Sequence, residues 1–155
     1  MSLTQIGFPL AIRFFTPIGS FNTSVEDINN TIRTRFKVNV SDVRSLTTHH
    51  DNAPFTIPAT GLWCRFSVLP GESKQVSLGR TKRYRIPGVA IAQLFDDIEI
   101  GDKNIIEEAD FIREEFTSVT DTSVTFRSPT ISKPSLDGKN WSINVNIPWF
   151  ADIIG

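Results

Sequence analysis

The sequence contains little of several residue types that mark common protein classes. Its 155 residues include one cysteine, Cys64, one methionine and one tyrosine. A single cysteine excludes a disulfide framework within one copy. No apolar run approaches the roughly 20 residues that a membrane-spanning helix needs, and residues 8–15 lack the basic flank of a signal peptide. We therefore expect a soluble, intracellularly made protein with a single domain over residues 1–155.

A surplus of charge of one sign is also absent, because 16 basic residues oppose 17 acidic ones. The charges are nevertheless unevenly distributed. Residues 96–115 contain nine acidic and two basic residues, a net charge of −7, so the rest of the chain carries +6. Four basic residues fall within residues 80–85. The two segments are either solvated faces or complementary surfaces through which one copy binds the next, a contact that can close a ring.

Hydrophobic spacing predicts an α+β domain. Residues 24–36 and 102–117 are expected to form helices, because apolar residues recur there every three or four positions. The expected strands cover residues 62–69, 74–78, 84–95, 123–128 and 140–147. We predict an antiparallel or mixed sheet of about four to five strands with the two helices packed on one face.

The strand pattern also predicts pairings. Residues 62–69 and 74–78 are expected to form a hairpin through Pro70 and Gly71, and residues 123–128 and 140–147 a second one. Residues 84–95 are apolar on both faces, which is typical of a central strand.

Two segments fit this pattern less well. Residues 1–22 form an apolar arm, which we expect to be extended and buried in its own domain or on a neighbour. Residues 37–59 are predicted to be a long loop or hairpin, with a short strand near residues 38–43, and long loops are often functional. The α+β core is expected to span residues 23–150.

The sequence offers no constellation typical of catalysis or metal binding. The only histidines, His49 and His50, are adjacent and therefore point in different directions on most backbones, with no second pair of ligands at a metal-binding spacing. Cys64 lies within an apolar strand, which indicates a buried side chain rather than a nucleophile. Nucleophile elbows and phosphate-binding glycine loops are missing. We expect no enzyme activity, no metal and no cofactor.

Two features remain open to several interpretations. The basic cluster of residues 80–85 includes Tyr84 and can grip a nucleic-acid backbone, protect a sheet edge from aggregation or bind another subunit. Phe111 lies among glutamates on the second predicted helix. It is either a contact residue or an ordinary exposed apolar side chain.

The order and spacing of structural residues resemble those of a known family. The matching residues are Trp63-Cys-Arg65, Leu78-Gly79, Arg85-Ile-Pro-Gly88, Phe95, Gly101, Glu108-Ala109-Asp110, Phe116, Val124-Thr-Phe126, Pro129, Gly138, Trp141 and Ile147-Pro148-Trp-Phe150. Over residues 24–150 the chain resembles the tail terminator (tail completion) proteins of long-tailed, non-contractile bacteriophages, the siphoviruses.

The resemblance implies a structural virion protein. Such proteins assemble in the host cytoplasm as a ring, usually of six copies, on the head-proximal end of the tail tube. The ring stops tube polymerisation and provides the docking surface for the head connector. The implied partners are other copies of the chain, the tail tube protein and a head-completion or connector protein. DNA passes through the lumen without specific binding, and no membrane is involved.

We assign candidate contact residues on this basis. The expected subunit interface comprises Arg80, Lys82, Arg83, Arg85, Glu107, Glu108, Phe111, Glu114 and Glu115. The expected contacts with the tube or connector are Phe8, Leu10, Phe14, Phe15, His49, His50 and Phe55. The alternatives are another ring-forming phage structural protein, such as a head–tail connector or a distal or minor tail protein, and a small nucleic-acid-binding module or enzyme.

Overall fold

The structure, a computed structural model, describes residues 24–51 and 53–154, so the predicted arm lies outside the described residues. Helices α1 (Val25–Phe36) and α2 (Lys103–Phe116) cover one face of a mixed sheet. The predicted α+β class is confirmed. The described part of the sheet has nine strands instead of four or five, because it includes four short strands, of two to four residues, that the sequence pattern did not predict.

Helix α1 begins with a capping box. The hydroxyl of Ser24 accepts a hydrogen bond from the Asp27 amide at 3.1 Å, and the Asp27 carboxylate accepts one from the Ser24 amide at 3.2 Å. These bonds satisfy amide donors that would otherwise lack partners at the helix start. The helix buries one apolar stripe, formed by Ile28, Ile32 and Phe36.

Residues 37–44 continue the helix, so the loop or short strand predicted there is wrong. Lys37–Ser41 form a π-helical turn and Asp42–Arg44 a final α-helical turn. The helical segment ends at Ser45, which has a left-handed φ of 53°.

A buried valine explains this continuation. Val40 is fully buried and lies four residues after Phe36, whereas Val38 and Val43 are exposed. A repeat of four exceeds the 3.6 residues of an α-helical turn. The wider π-helical turn keeps the apolar stripe facing the core.

The strands share one sheet, and their limits are as follows. They are β1 (Thr47–His50), β2 (Trp63–Pro70), β3 (Lys74–Gln75), β4 (Arg83–Asp97), β5 (Thr120–Asp121), β6 (Val124–Phe126), β7 (Thr130–Ile131), β8 (Ser135–Asp137) and β9 (Asn140–Ile154). The main path across the sheet is β1-β2-β4-β9-β6-β5, with β3 beside β4 and with β7 and β8 beside β9. Strands β1 and β2 are parallel, and the other described pairs are antiparallel.

The two longest strands form the axis of the fold. Strands β4 and β9 have 15 residues each and pair along their full length, from Arg83 opposite Ile154 to Asp97 opposite Asn140. A strand rises by about 3.3 Å per residue, so the ends of β4 lie roughly 45 Å apart. The central strand predicted at residues 84–95 is confirmed.

Two predicted pairings are corrected. Strand β3 pairs with β4 instead of β2. The Gly71 amide donates a hydrogen bond to the Pro87 carbonyl oxygen at 2.7 Å. This bond directs the chain that follows β2 towards β4. Strand β6 pairs with Trp149–Ala151, beyond the end of the predicted last strand. That strand is longer than predicted because Trp149 and Ala151 continue its alternating buried side chains.

Aromatic side chains pack on both faces of the sheet. On the helical face, Phe36 stacks on Phe66 with ring centroids 4.1 Å apart. On the opposite face, Trp63 stacks on Phe95 at 4.3 Å. The ring of Phe55 lies 5.4 Å from that of Trp63 and covers this second cluster.

Candidate functional site

The hairpin formed by β3 and the start of β4 presents exposed cations. Arg80, Lys82 and Arg83 are exposed, and none of them forms an ion pair with an acid in the described part of the chain. The Ser77 hydroxyl orders the turn by accepting a hydrogen bond from the Arg83 amide at 2.8 Å. Leu78, at the tip, is 97% exposed. This basic hairpin, residues 74–85, therefore combines unpaired positive charge with an exposed apolar side chain.

Arg85, which we also predicted to be an interface residue, forms an ion pair within its own chain. Its guanidinium donates to both carboxylate oxygens of Asp152, at 2.8 and 3.1 Å. It also lies 4.2 Å from the centre of the Phe150 ring. The hydrogen bond from Arg85 holds the pKa of Asp152 below its ordinary value and raises the pKa of Arg85. Sequence reasoning could not find this pair, because only the β4–β9 register joins the two residues.

Helix α2 carries part of the predicted acidic surface. Glu107 and Glu114 are exposed, as predicted for contact residues. Glu115 is half-buried, and its carbonyl accepts a hydrogen bond from Arg35 at 2.7 Å. The exposed acids lie on a helix that packs against β4 and β9.

Glu108 and Phe111, also predicted as interface residues, are used inside the molecule. Glu108 is 5% exposed. Its carboxylate oxygens accept hydrogen bonds from Nε and Nη2 of Arg44, each at 3.2 Å. The Arg44 guanidinium also lies 4.8 Å from the centre of the Phe111 ring, which is partly buried against the core. Arg44, which sequence reasoning missed, covers both residues, and its bond to Glu108 raises its own pKa.

The Arg44–Glu108 pair should respond unequally to substitution of its two partners. Arg44→Met leaves a buried carboxylate without a counter-charge, which costs 3–5 kcal/mol in a fully buried pair. The Arg44 side chain is 37% exposed, so screening lowers the expected loss of unfolding free energy to about 1–2 kcal/mol. Glu108→Gln frees Arg44 to turn towards water and should cost about half as much. Urea denaturation measures the loss of unfolding free energy in each variant. Equal losses in the two variants would contradict the prediction.

The adjacent histidines face opposite sides of the sheet. His49 stacks on Phe55 with ring centroids 4.7 Å apart, on the face away from the helices. His50 lies against the core aromatic Phe66, at 6.1 Å and edge-on. Its Nδ1 is buried without a hydrogen-bond partner in the described part of the chain. His49 and Phe55 therefore remain candidates for tube or connector contact, whereas His50 packs against the core.

The packing of His50 predicts a dependence of stability on pH. Burial, and then the positive charge of Arg33, lower the pKa of His50. As the pH falls through about 6.5, the unfolded chain binds a proton that the folded His50 resists. The folded state should lose stability by at most about 1.4 kcal/mol per pH unit. Thermal unfolding between pH 7 and 5 measures this loss. His50→Phe should remove this loss of stability, and the control His49→Gln should keep it. Equal losses in the two variants would contradict the prediction.

An acidic cleft lies at the end of β4 that is remote from the basic hairpin. Its volume is about 390 Å³. The lining residues are Arg44, Gly61, Leu62, Asp96, Asp97, Ile100, Asn104, Glu107 and Glu108. The Asp97 carboxylate accepts from the Gly61 amide at 3.0 Å. Asp96 is 3% exposed, and it accepts from the Asp97 amide at 2.8 Å. The sequence indicated the acidic charge here but not the cleft.

Within residues 24–51 and 53–154, no three His, Cys, Asp or Glu side chains are placed to hold a metal ion. Burial of Cys64 raises the pKa of its thiol. No helix among the described residues is long and apolar enough to cross a membrane.

Comparisons with known proteins support the fold alone. No protein family matches the sequence, and no curated protein matches it. One solved structure superimposes with a TM-score of 0.58 at 20% sequence identity, covering 79% of this chain and 94% of the other. The name of that protein states no function. The likeness indicates a shared α+β architecture.

Proposed function

We propose that this protein is a structural virion component that forms a ring on the head-proximal end of a siphovirus tail tube. The ring, of six copies, stops tube polymerisation and provides the docking surface for the head connector. The protein carries out no catalysis and needs no cofactor. The sequence resemblance over residues 24–150 supports the proposal. The observation that carries it is the charge polarity of β4, with cations at one end and acids at the other.

This polarity favours assembly by head-to-tail contacts. The two ends of β4 lie roughly 45 Å apart, so its opposite charges cannot meet within one copy. A contact between unlike surfaces of successive copies produces a ring when the rotation closes. A ring made in this way leaves two different axial faces, one for the tube and one for the connector.

The proposed axial contacts use residues outside the subunit interface. His49 and Phe55 lie on the face away from the helices and remain candidates. The arm residues Phe8, Leu10 and Phe14, together with Phe15, are further candidates outside the described residues. A lumen lined by acidic or neutral side chains would let DNA pass, because a basic lining would hold its phosphates.

A second candidate is another ring-forming phage protein, either a head–tail connector or a distal or minor tail protein. The same polarity of β4 favours it equally, and the position of the protein in the particle separates the two. A nucleic-acid-binding module is a third candidate, because Arg80, Lys82 and Arg83 are exposed beside Tyr84. Titration with single- and double-stranded DNA tests it. Such a module should bind below 1 μM with a steep dependence on salt, on the order of one counterion per phosphate contact.

Electron microscopy of phage particles lacking this protein tests the proposed function. We expect filled heads without tails beside free tails of abnormal length. The control is the same phage with the gene restored in trans. Tails of normal length would contradict the terminator role. Heads that leak DNA would favour a connector, and intact infectious particles would reject a structural role.

A further inference from the structure

We infer that the basic hairpin of one copy inserts into the acidic cleft of the next copy, and that this contact joins the subunits. The inference rests on the proposed function, since it names the surfaces through which a ring would form. The hairpin is residues 74–85, and the cleft is the one lined by Asp96, Asp97 and Ile100.

The charges of the two surfaces are complementary. Residues 74–85 contain five basic residues and no acidic one. Arg85 is neutralised by Asp152, which leaves four cations for a partner. The cleft is lined by four carboxylates and one guanidinium. That guanidinium belongs to Arg44 and binds Glu108, and Lys103 lies 3.8 Å from the Glu107 carboxylate. Asp96 and Asp97 form no ion pair in the described part of the chain and remain for a partner.

A buried acid within the cleft points to a cationic ligand. Asp96 is 3% exposed, and no cation pairs with it among the described residues. The Asp97 amide donates a hydrogen bond to this carboxylate, but a buried charge also needs an opposite charge to offset the loss of hydration. A guanidinium or ammonium group from the next copy would supply that charge where the cleft opens to solvent.

The apolar groups of the two surfaces also match. Leu78 is 97% exposed at the tip of the hairpin. Leu62 and Ile100 line the cleft, and Ile100 is 56% exposed. Burying these side chains against one another removes apolar surface from water, which stabilises association. Flanking ion pairs would set the register of the contact.

The geometry makes the contact head-to-tail. Arg83 begins β4, and Asp96 and Asp97 end it, so each copy offers its hairpin in one direction and its cleft in the other. Copies joined in this way form a ring or an open filament, according to the rotation between neighbours.

Cysteine cross-linking tests the contact directly. The double variant Leu78→Cys, Ile100→Cys places one thiol on each surface, and the native Cys64 is fully buried. Under a mild oxidant such as copper phenanthroline, we expect a ladder of disulfide-linked oligomers that ends at the size of the ring. The control pairs Leu78→Cys with Thr120→Cys, an exposed position on the last strand of the sheet path. A ladder no stronger than in the control would overturn the inference.

Exchange of charges between the two surfaces provides a second test. Misfolding cannot explain its expected result, because a misfolded protein would not recover association when the substitutions are combined. Arg80→Glu with Lys82→Glu on the hairpin should weaken self-association at least about tenfold. Asn104→Lys with Glu107→Lys on the cleft should do the same. The four substitutions combined in one chain should restore part of the association, because the two new glutamates on the hairpin can pair with the two new lysines on the cleft. Analytical ultracentrifugation measures each variant, and unchanged association of either pair would overturn the inference.

The outcomes separate this contact from the proposed function. If the unmodified protein forms rings while the cysteine variant gives no ladder above the control and charge reversal leaves association unchanged, the contact is wrong and the ring proposal stands. If cross-linked copies form open filaments without a terminal size, the contact is right and the proposed ring is wrong. A protein that stays monomeric at every concentration tested overturns the contact.

Discussion

Replacing Phe36 with alanine is expected to lower the free energy of unfolding by about 3–5 kcal/mol, the usual cost of removing a buried phenyl ring. Phe36 is fully buried and stacks on Phe66 of β2 at 4.1 Å. The ring of Phe116, the last residue of α2, lies 6.3 Å away. The ring thus joins α1, β2 and α2, and the cavity left by alanine cannot close unless these elements shift. Chemical denaturation measures the loss.

Val38 supplies the matched control for this prediction. It lies two residues further along the same helical segment and is 53% exposed. Val38→Ala should change the free energy of unfolding by no more than about 0.5 kcal/mol. A similar loss in both variants would show that the helix, and not the aromatic contact, determines the effect.

Replacing Gly88 with alanine is expected to cost about 3 kcal/mol, the upper end of the range for overpacking. A Cβ atom at this position would lie 2.6 Å from Cε2 of Trp149 and 2.7 Å from the carbonyl oxygen of Leu69. The indole is 2% exposed, and the carbonyl belongs to the backbone of β2. Neither can move without disturbing the sheet. Thermal and chemical unfolding measure the cost.

Gly79 is the control for this second prediction. A Cβ atom there would have no neighbour within 4 Å, so Gly79→Ala should change stability little. The variant Trp149→Leu removes the indole and should reduce the additional cost of Gly88→Ala, because the two substitutions share one contact. If Gly88→Ala lowers stability as much in the Trp149→Leu variant as in the unmodified protein, the indole is not the obstacle.

The candidate site was predicted only in part. The sequence identified Arg80, Lys82, Arg83 and Glu107 as surface charges, because a local excess of one sign can be counted along the chain. It could not distinguish them from Arg85 and Glu108, whose partners lie 67 and 64 positions away. Sequence distance hides such pairs, and only the folded chain shows which charges are already neutralised.

By itself, the sequence determined the features that depend on neighbouring residues. Periodic apolar side chains determined both helices, the Ser24 cap determined the start of α1, and an apolar run determined the central strand. The tertiary structure decided the features that depend on distant contacts. It paired β3 with β4, extended α1 through the burial of Val40, and placed the basic hairpin and the acidic cleft at opposite ends of β4. Local spacing contains no information on such contacts, because they form only when the sheet assembles around one core.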